Sequence, residues 1–147
     1  MNADKEATLR FRPILASDHD RVGQLWVRCQ LTTSYNDPHK DIEFAAGGIA
    51  SDVLVGLEGD RIVASVMVGH DGHRGWLYYV AVDPDCQGRG YGAYVVAAGE
   101  AWLRDRGVAK VMLLIRETNT AVQRFYTGIG YETIPRIVMQ KWLTQDA

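Results

Sequence analysis

The sequence is poor in cysteine, with only Cys29 and Cys86 in 147 residues. Two cysteines cannot build a disulfide framework, and these two lack the paired spacing of a structural zinc site, so no metal centre is expected. Long hydrophobic runs are also missing. No stretch approaches the roughly 18 apolar residues that a membrane span requires, and the opening "MNADKEAT" has no apolar core. The expectation is a chain without a leader or a membrane partner, located in the cytoplasm. Positive charge is not in excess either. Sixteen Lys and Arg stand against 18 Asp and Glu, for a formal net charge of −2, which argues against nucleic acid as a partner because that needs a concentrated basic face. Any anion this chain binds must therefore be held locally. Repeats, low-complexity tracts and dividing linkers are absent, so a single domain over residues 1–147 is expected, with 1–7 a polar N-terminal tail.

What is present reads as alternating elements. "TLRFRP" alternates Leu9 and Phe11 with Arg10 and Arg12 and stops at Pro13, a first strand. "SDHDRVGQLWVRC" opens with Ser17 or Asp18 as N-cap and then repeats Val22, Leu25, Trp26 and Cys29 at helical spacing. In "NDPHKDIEFAAGGIA", Asp37 is a cap and Pro38 the first helical residue, with Ile42, Ala45 or Ala46, and Ile49 on one side. Residues 52–83 hold three strand-like runs, the first two joined by Gly59-Asp60, and read as an antiparallel meander. "GYGAYVVAAGEAWLRDRG" is a helix with a glycine stop at Gly107, and "KVMLLIR" a buried strand. "NTAVQRFYTGIG" is a short helix capped by Asn119, and "YETIPRIVMQKWL" one or two closing strands interrupted at Pro135. The order β-α-α-β-β-β-α-β-α-β-β describes an α/β (α+β) fold: a mixed, mostly antiparallel sheet of six to seven strands with helices on both faces.

Chemistry concentrates where "VAVDPDCQGRGYGAYVV" passes from strand to helix through Gly88, Gly90 and Gly92. Glycines there let a ligand approach the backbone, and free N–H groups at a helix N-terminus form a place for phosphate. Gly88, Gly90 and Ala93 also satisfy the dinucleotide pattern G-x-G-x-x-[G/A], with Glu117 after the next strand as a ribose acid. Five intervening residues, Asp83 to Gln87, and the upstream meander speak against that reading. No Gly-Lys-Ser/Thr follows, which excludes a Walker loop, and a turn that binds nothing stays open.

Gln87-x-x-Gly90-x-Gly92 after "VAVDP", together with "NTAVQRFYTGIGY" over residues 119–131, resembles the two signature motifs of the GNAT N-acetyltransferases, and the element order is theirs over nearly the whole chain. "NDPxxDI" and "GHDGHRG" further resemble YpeA-type bacterial acetyltransferases. The resemblance implies an acetyl-CoA-dependent N-acetyltransferase that moves an acetyl group directly to a primary amine of a small molecule or of a protein or peptide; a catalytically silent acyl-CoA module on the same fold is the alternative. It also implies that the loop Gln87, Gly88, Arg89, Gly90, Tyr91 and Gly92 holds the coenzyme pyrophosphate. Ala81 and Val82 then pair with the pantetheine arm beside a bulge of the fourth strand, with the Val82 N–H as an oxyanion donor. Tyr126 takes the position of the general acid at the coenzyme sulfur, against the plain reading of a buried aromatic. Asn119 either touches the coenzyme arm or caps its helix, and Arg89 either contacts phosphate or is a solvated loop arginine. The family's strand glutamate has no counterpart in "WLYYVAV", so the base is unassigned, and a homodimer is left open.

For the amine acceptor, the candidates are Asn36, Asp37 and Asp41 at the second helix, and Asp71 and His73 in "GHDGHRG". An acidic set attracts a cationic amine and a neutral histidine can take its proton. Against this, Asp37 is also a helix cap, and Asp71-Gly72 is also ordinary hairpin chemistry. Alternation sends Tyr78 and Tyr79 to opposite faces of their strand, so at most one faces the cleft. Direct transfer needs no nucleophile, and none is expected of Cys86.

Overall fold

The computed structural model describes residues 9–144, so the expected tail 1–7 lies outside the described residues. The chain divides into two units after Leu113.

In the first unit, strands β1 (Leu9–Pro13), β2 (Ser51–Glu58), β3 (Arg61–His70), β4 (Gly75–Val82) and β5 (Val111–Met112) form one sheet in that spatial order. The first four pair antiparallel, from Leu9↔Glu58 through Ser51↔Gly69 to His70↔Gly75, and β5 runs parallel to β4. The β2–β3 turn falls at Gly59, whose φ of +62° suits a tight reversal that a side chain would strain. The helices are α1 (His19–Arg28), α2 (Pro38–Ala45) and α3 (Tyr91–Arg104).

Two apolar layers sandwich the sheet. Trp26 and Leu25 of α1 and Ile42 of α2 pack with Val53, Val55 and Leu57, the alternate residues of β2. Trp26 is fully buried, and its Nε1–H donates to Ser65 Oγ at 2.8 Å, so the indole's one polar atom is satisfied inside the core. On the opposite face α3 lies over β3 and β4; a Cβ on Gly99 would come within 2.7 Å of Leu77 Cδ2, which shows how closely helix and sheet approach. Burial of each large side chain of this kind contributes roughly 1.5–3 kcal/mol.

Several local expectations take a different form. Asp18 does not cap α1 with its side chain. It is buried, and it accepts from Arg12 Nη1 at 2.6 Å, Arg21 Nη2 at 2.9 Å and the Leu15 N–H at 2.8 Å, the Arg12 bond chiefly holding its carboxyl below the usual range. Ile49 lies past the end of α2 and is exposed rather than on its apolar side. Of "KVMLLIR" only Val111 and Met112 pair with β4, at Gly75 and Trp76.

The second unit contains α4 (Thr120–Gly128), begun by Asn119 as expected, with its Oδ1 accepting from the Val122 N–H at 3.2 Å. The closing strands are not present: residues 129–144 form neither strand nor helix. A strand exists only by pairing. Gly130 with φ +103° turns the chain, Pro135 offers no N–H to a ladder, and Ile137, Met139 and Leu143 stay exposed. The sheet of the described residues therefore has five strands rather than six to seven.

Candidate active site

The glycine loop leaves β4 through a 3-10 turn, Pro84–Cys86, and enters α3 at Tyr91. Gly88 and Gly90 have φ of +82° and +77°, and a Cβ at either would meet nothing within 4 Å. These glycines are required by backbone conformation, not by crowding. Gly90 is the N-cap of α3 without a side-chain bond, Gly92 lies in the first helical turn, and Gln87 to Gly90 are exposed. The amides at this end of a 14-residue helix thus face an open surface with the positive end of the dipole behind them.

Carboxylates fasten the loop at both ends. Asp83, buried, accepts from Arg28 Nη1 at 2.7 Å, Arg61 Nη2 at 3.4 Å and the Asp85 N–H at 2.9 Å. Burial pushes its carboxyl up, but the Asp85 amide and the two guanidinium groups outweigh this and hold it below the usual range. At the other end Glu58 accepts from Arg89 Nη1 at 3.1 Å and from the Tyr91 hydroxyl. Arg89 is therefore an ion-paired arginine rather than a purely solvated one. The Gln87 side chain donates to the Val82 carbonyl at 3.3 Å and folds the loop back onto β4.

The edge of β4 next to the loop is open. Pairing with β5 ends at Trp76, and among the described residues Leu77 to Val82 form no ladder on that side. A bulge accounts for it. Between Ser65↔Ala81 and Met67↔Tyr78, β4 carries one residue more than β3, and Tyr79 has φ +50°. Bulges bend a strand and end its pairing. The Asp83 N–H turns inward to Val63 O at 2.7 Å, so alternation turns the amide and carbonyl of Val82 outward. Ala81 is buried against the α1 side. The outward Val82 carbonyl also accepts from Cys29 Sγ at 3.2 Å. Burial pushes both thiols up, keeping Cys29 and Cys86 poor nucleophiles.

Tyr126, in α4, is 7% exposed and packs edge-on against Phe125 and Tyr131, with ring centroids 5.0 Å and 5.3 Å away. Burial pushes its phenol up to about 12, so it remains a proton donor at any physiological pH. Asn119 shows the helix-cap half of its two readings.

The acceptor candidates separate into two groups. Asp37 caps α2, its Oδ1 accepting from the His39 N–H at 3.0 Å. Asp41 accepts from the Tyr79 hydroxyl at 2.7 Å, and the Asn36 side chain hydrogen-bonds the same phenol. Tyr79 in turn stacks on Trp26, with centroids 3.8 Å apart and planes 1° from parallel. Burial first, then Asp41, pushes the Tyr79 phenol well above its ordinary value. The hairpin turn is elsewhere: Gly75 to Tyr79 alone spans about 13 Å of strand. There Asp71 accepts the His73 and Arg74 N–H groups at 2.9 and 2.7 Å, bonds that hold its carboxyl below the usual range, and His73 is exposed. That is the geometry of a closed polar turn. Among the described residues no group of three or more His, Cys, Asp or Glu is arranged to hold a metal ion, and no helix is long and apolar enough to cross a membrane.

The sequence reading missed Tyr79. The bulge places Tyr78 and Tyr79 on the same face, the one carrying α1, because Tyr78 opposes Met67 of that layer and Tyr79 stacks on Trp26. Opposite faces would have required an unbroken strand. No pattern in "WLYYVAV" announces the extra residue.

Comparison with known proteins gives this split-edged sheet and its glycine loop a family. A model of the Acetyltransferase (GNAT) family matches residues 20–131. An acetyltransferase of Pectobacterium atrosepticum is 39% identical over 138 residues, covering 94% of this chain and 98% of that protein, and one of Yersinia enterocolitica is 38% identical over the same shares. The chain belongs to the GNAT acetyltransferase family and is an N-acetyltransferase. Among solved structures, an aminoglycoside N-acetyltransferase in complex with a CoA-linked acetylneamine bisubstrate analogue superposes with a TM-score of 0.78 at 16% identity, over 92% of this chain and 99% of that one. The Escherichia coli ribosomal-protein-S18-alanine N-acetyltransferase gives 0.69 at 20% identity, over 83% and 76%.

Proposed function

We propose that the chain transfers the acetyl group of acetyl-CoA directly to a primary amine, carried by a small molecule or by a protein or peptide. The open β4 edge beside the exposed glycine loop carries this reading: it offers outward backbone groups at Val82 and helix-end amides at Gln87 to Gly92 in one continuous stretch of chain. A polyanion suits such a site in an acidic protein, because dipoles and a single arginine bind it without a basic patch. Structures of the fold named for CoA complexes support the same co-substrate.

The residues divide the work. Gln87, Gly88, Gly90, Tyr91 and Gly92 cradle the pyrophosphate, and Arg89 turns from Glu58 to assist. Ala81 and Val82 pair with the pantetheine arm, and the Val82 N–H polarises the thioester carbonyl. The acceptor must lose a proton before its nitrogen can attack, since an ammonium with a pKa near about 10.4 has no lone pair to offer. The ammonium gives one proton to water, the free nitrogen forms a bond to the acetyl carbon and loses a second proton to water as the amide forms, and the C–S bond breaks to release the coenzyme as a thiolate that accepts a hydrogen bond from the Tyr126 hydroxyl. Asn119 orders α4 by capping it.

The test is coenzyme A release from acetyl-CoA over a panel of amines and N-terminal peptides, with acetyl-CoA binding measured separately by calorimetry. Turnover on at least one amine is expected. Tight binding with no turnover on any of them supports a silent module instead, and failure to bind acetyl-CoA removes both readings.

A further inference from the structure

Tyr79 is held more firmly than packing alone requires. Its backbone stands at φ +50°, a conformation that a non-glycine residue adopts at a cost of about 1–3 kcal/mol and that concentrates at functional positions. Its ring lies flat on Trp26, which Ser65 anchors from β3. Ser65 Oγ also donates to the Tyr79 carbonyl at 3.4 Å. Everything about the residue fixes where its hydroxyl points, and the hydroxyl points at Asp41 Oδ2. Asp41 is 38 positions away in sequence, on the first turn of α2, and only half-buried. Its Oδ1 has no hydrogen-bond partner among the described residues. Tyr79 lies two residues before Ala81, so the phenol that holds this carboxylate belongs to the strand that leads into the glycine loop.

We propose that Asp41, oriented by Tyr79 and Asn36, is the docking carboxylate for the cationic amine of the acceptor, and that Tyr79 is a positioning residue acting through it. A carboxylate with one oxygen committed to a rigid phenol and the other available holds an ammonium in one direction. Asp71 and His73, in the closed turn at the far end of β4, take no part. The inference rests on the transferase reading and names the acceptor class: an amine that is cationic when it binds, not a neutral amide, alcohol or aromatic amine.

The experiment uses the full chain, acetyl-CoA and a panel of alkyl diamines, N-terminal peptides and aniline as the neutral control. Asp41→Asn raises the KM of the cationic acceptors roughly 10–100-fold while the acetyl-CoA KM stays within twofold. Tyr79→Phe raises the acceptor KM roughly 3–10-fold at unchanged net charge, and the double variant is no worse than Asp41→Asn alone, the signature of action through Asp41. Multiplying effects, an unchanged acceptor KM in Asp41→Asn, or a preference for aniline overturns the proposal. Binding of the same amines to the protein–CoA complex, followed by calorimetry, covers the case without turnover. If acetyl-CoA binds but no cationic amine binds or reacts, the docking site is refuted; if amines bind through Asp41 and none reacts, the docking site stands and the transfer reading fails.

Discussion

Replacing Tyr126 by phenylalanine isolates one hydroxyl. Its ring stays between Phe125 and Tyr131, and the hydroxyl has no hydrogen-bond partner among the described residues, so the variant is expected to keep its stability within about 0.5 kcal/mol. The effect on turnover follows from the proton affinities. The phenol is pushed up to about 12 by burial, whereas a thiol ionises near about 8.5. Complete proton transfer to the thiolate is then uphill by roughly 3.5 units, about 5 kcal/mol. Tyr126 therefore acts mainly as a strong hydrogen-bond donor to the charge that develops on sulfur. Loss of such a donor lowers kcat by roughly 10²–10³-fold, or about 3–4 kcal/mol, the lower part of the range for general acids. The assay is thiol-detected coenzyme release under saturating acceptor from pH 6 to 10, with the acetyl-CoA Kd measured alongside and expected to hold. Because the folded pKa lies above the unfolded value of about 10, any contribution of this phenol to stability is fully present below pH 10 and lost only as pH climbs toward about 12. No alkaline limb from Tyr126 should appear in the wild-type profile. A kcat within twofold of wild type refutes the acid assignment.

Other expectations concern the supports of the site. Ser65→Ala leaves the Trp26 indole N–H buried without its acceptor and should cost about 1–3 kcal/mol in denaturant unfolding; no change would mean the bond contributes nothing net. Asp83→Asn removes the charge that Arg28 and Arg61 share and should cost about 1–3 kcal/mol at pH 7. The carboxyl is held low in the fold, so wild type keeps this contribution above about pH 4 and loses it as pH falls below; the variant's acid-unfolding curve should be flatter there. Gly90→Ala forces a side chain into φ +77° and should cost about 1–2 kcal/mol, with a raised acetyl-CoA KM and an unaltered acceptor KM; an intact coenzyme KM would detach the loop from the coenzyme.

Local chemistry was readable before any coordinates. Asp37-Pro38 starts α2, Asn119 starts α4 and Gly59 turns the β2–β3 hairpin, because each depends on residues within four positions. The asymmetry appears where the cause is distant. Glu58 meets Arg89 from 31 positions away, Asp83 meets Arg28 from 55, and Asp41 meets Tyr79 from 38. The termination of β5 and the unformed closing strands have the same origin: apolar alternation measures the capacity to pair, while pairing itself needs an available edge. Within the site, the candidates on one short segment were found together, and the partner that gathers Asn36 and Asp41 was hidden by a one-residue irregularity in β4.

That irregularity also works as an inverter of parity. Counted from the hairpin end of β4, odd-numbered Leu77 lies under α3; counted from the loop end, odd-numbered Tyr79 and Ala81 lie under α1. The two ends of one strand thus follow opposite rules, and deleting Tyr79 would make them agree: Val80 alone would then stand opposite Val66, with Tyr78 still across from Met67 and Ala81 still across from Ser65. Both ends of the strand would keep their faces, and what would vanish is the phenol that points Asp41. The extra residue is thus one that the pairing of the sheet can do without and the orientation of that carboxylate cannot.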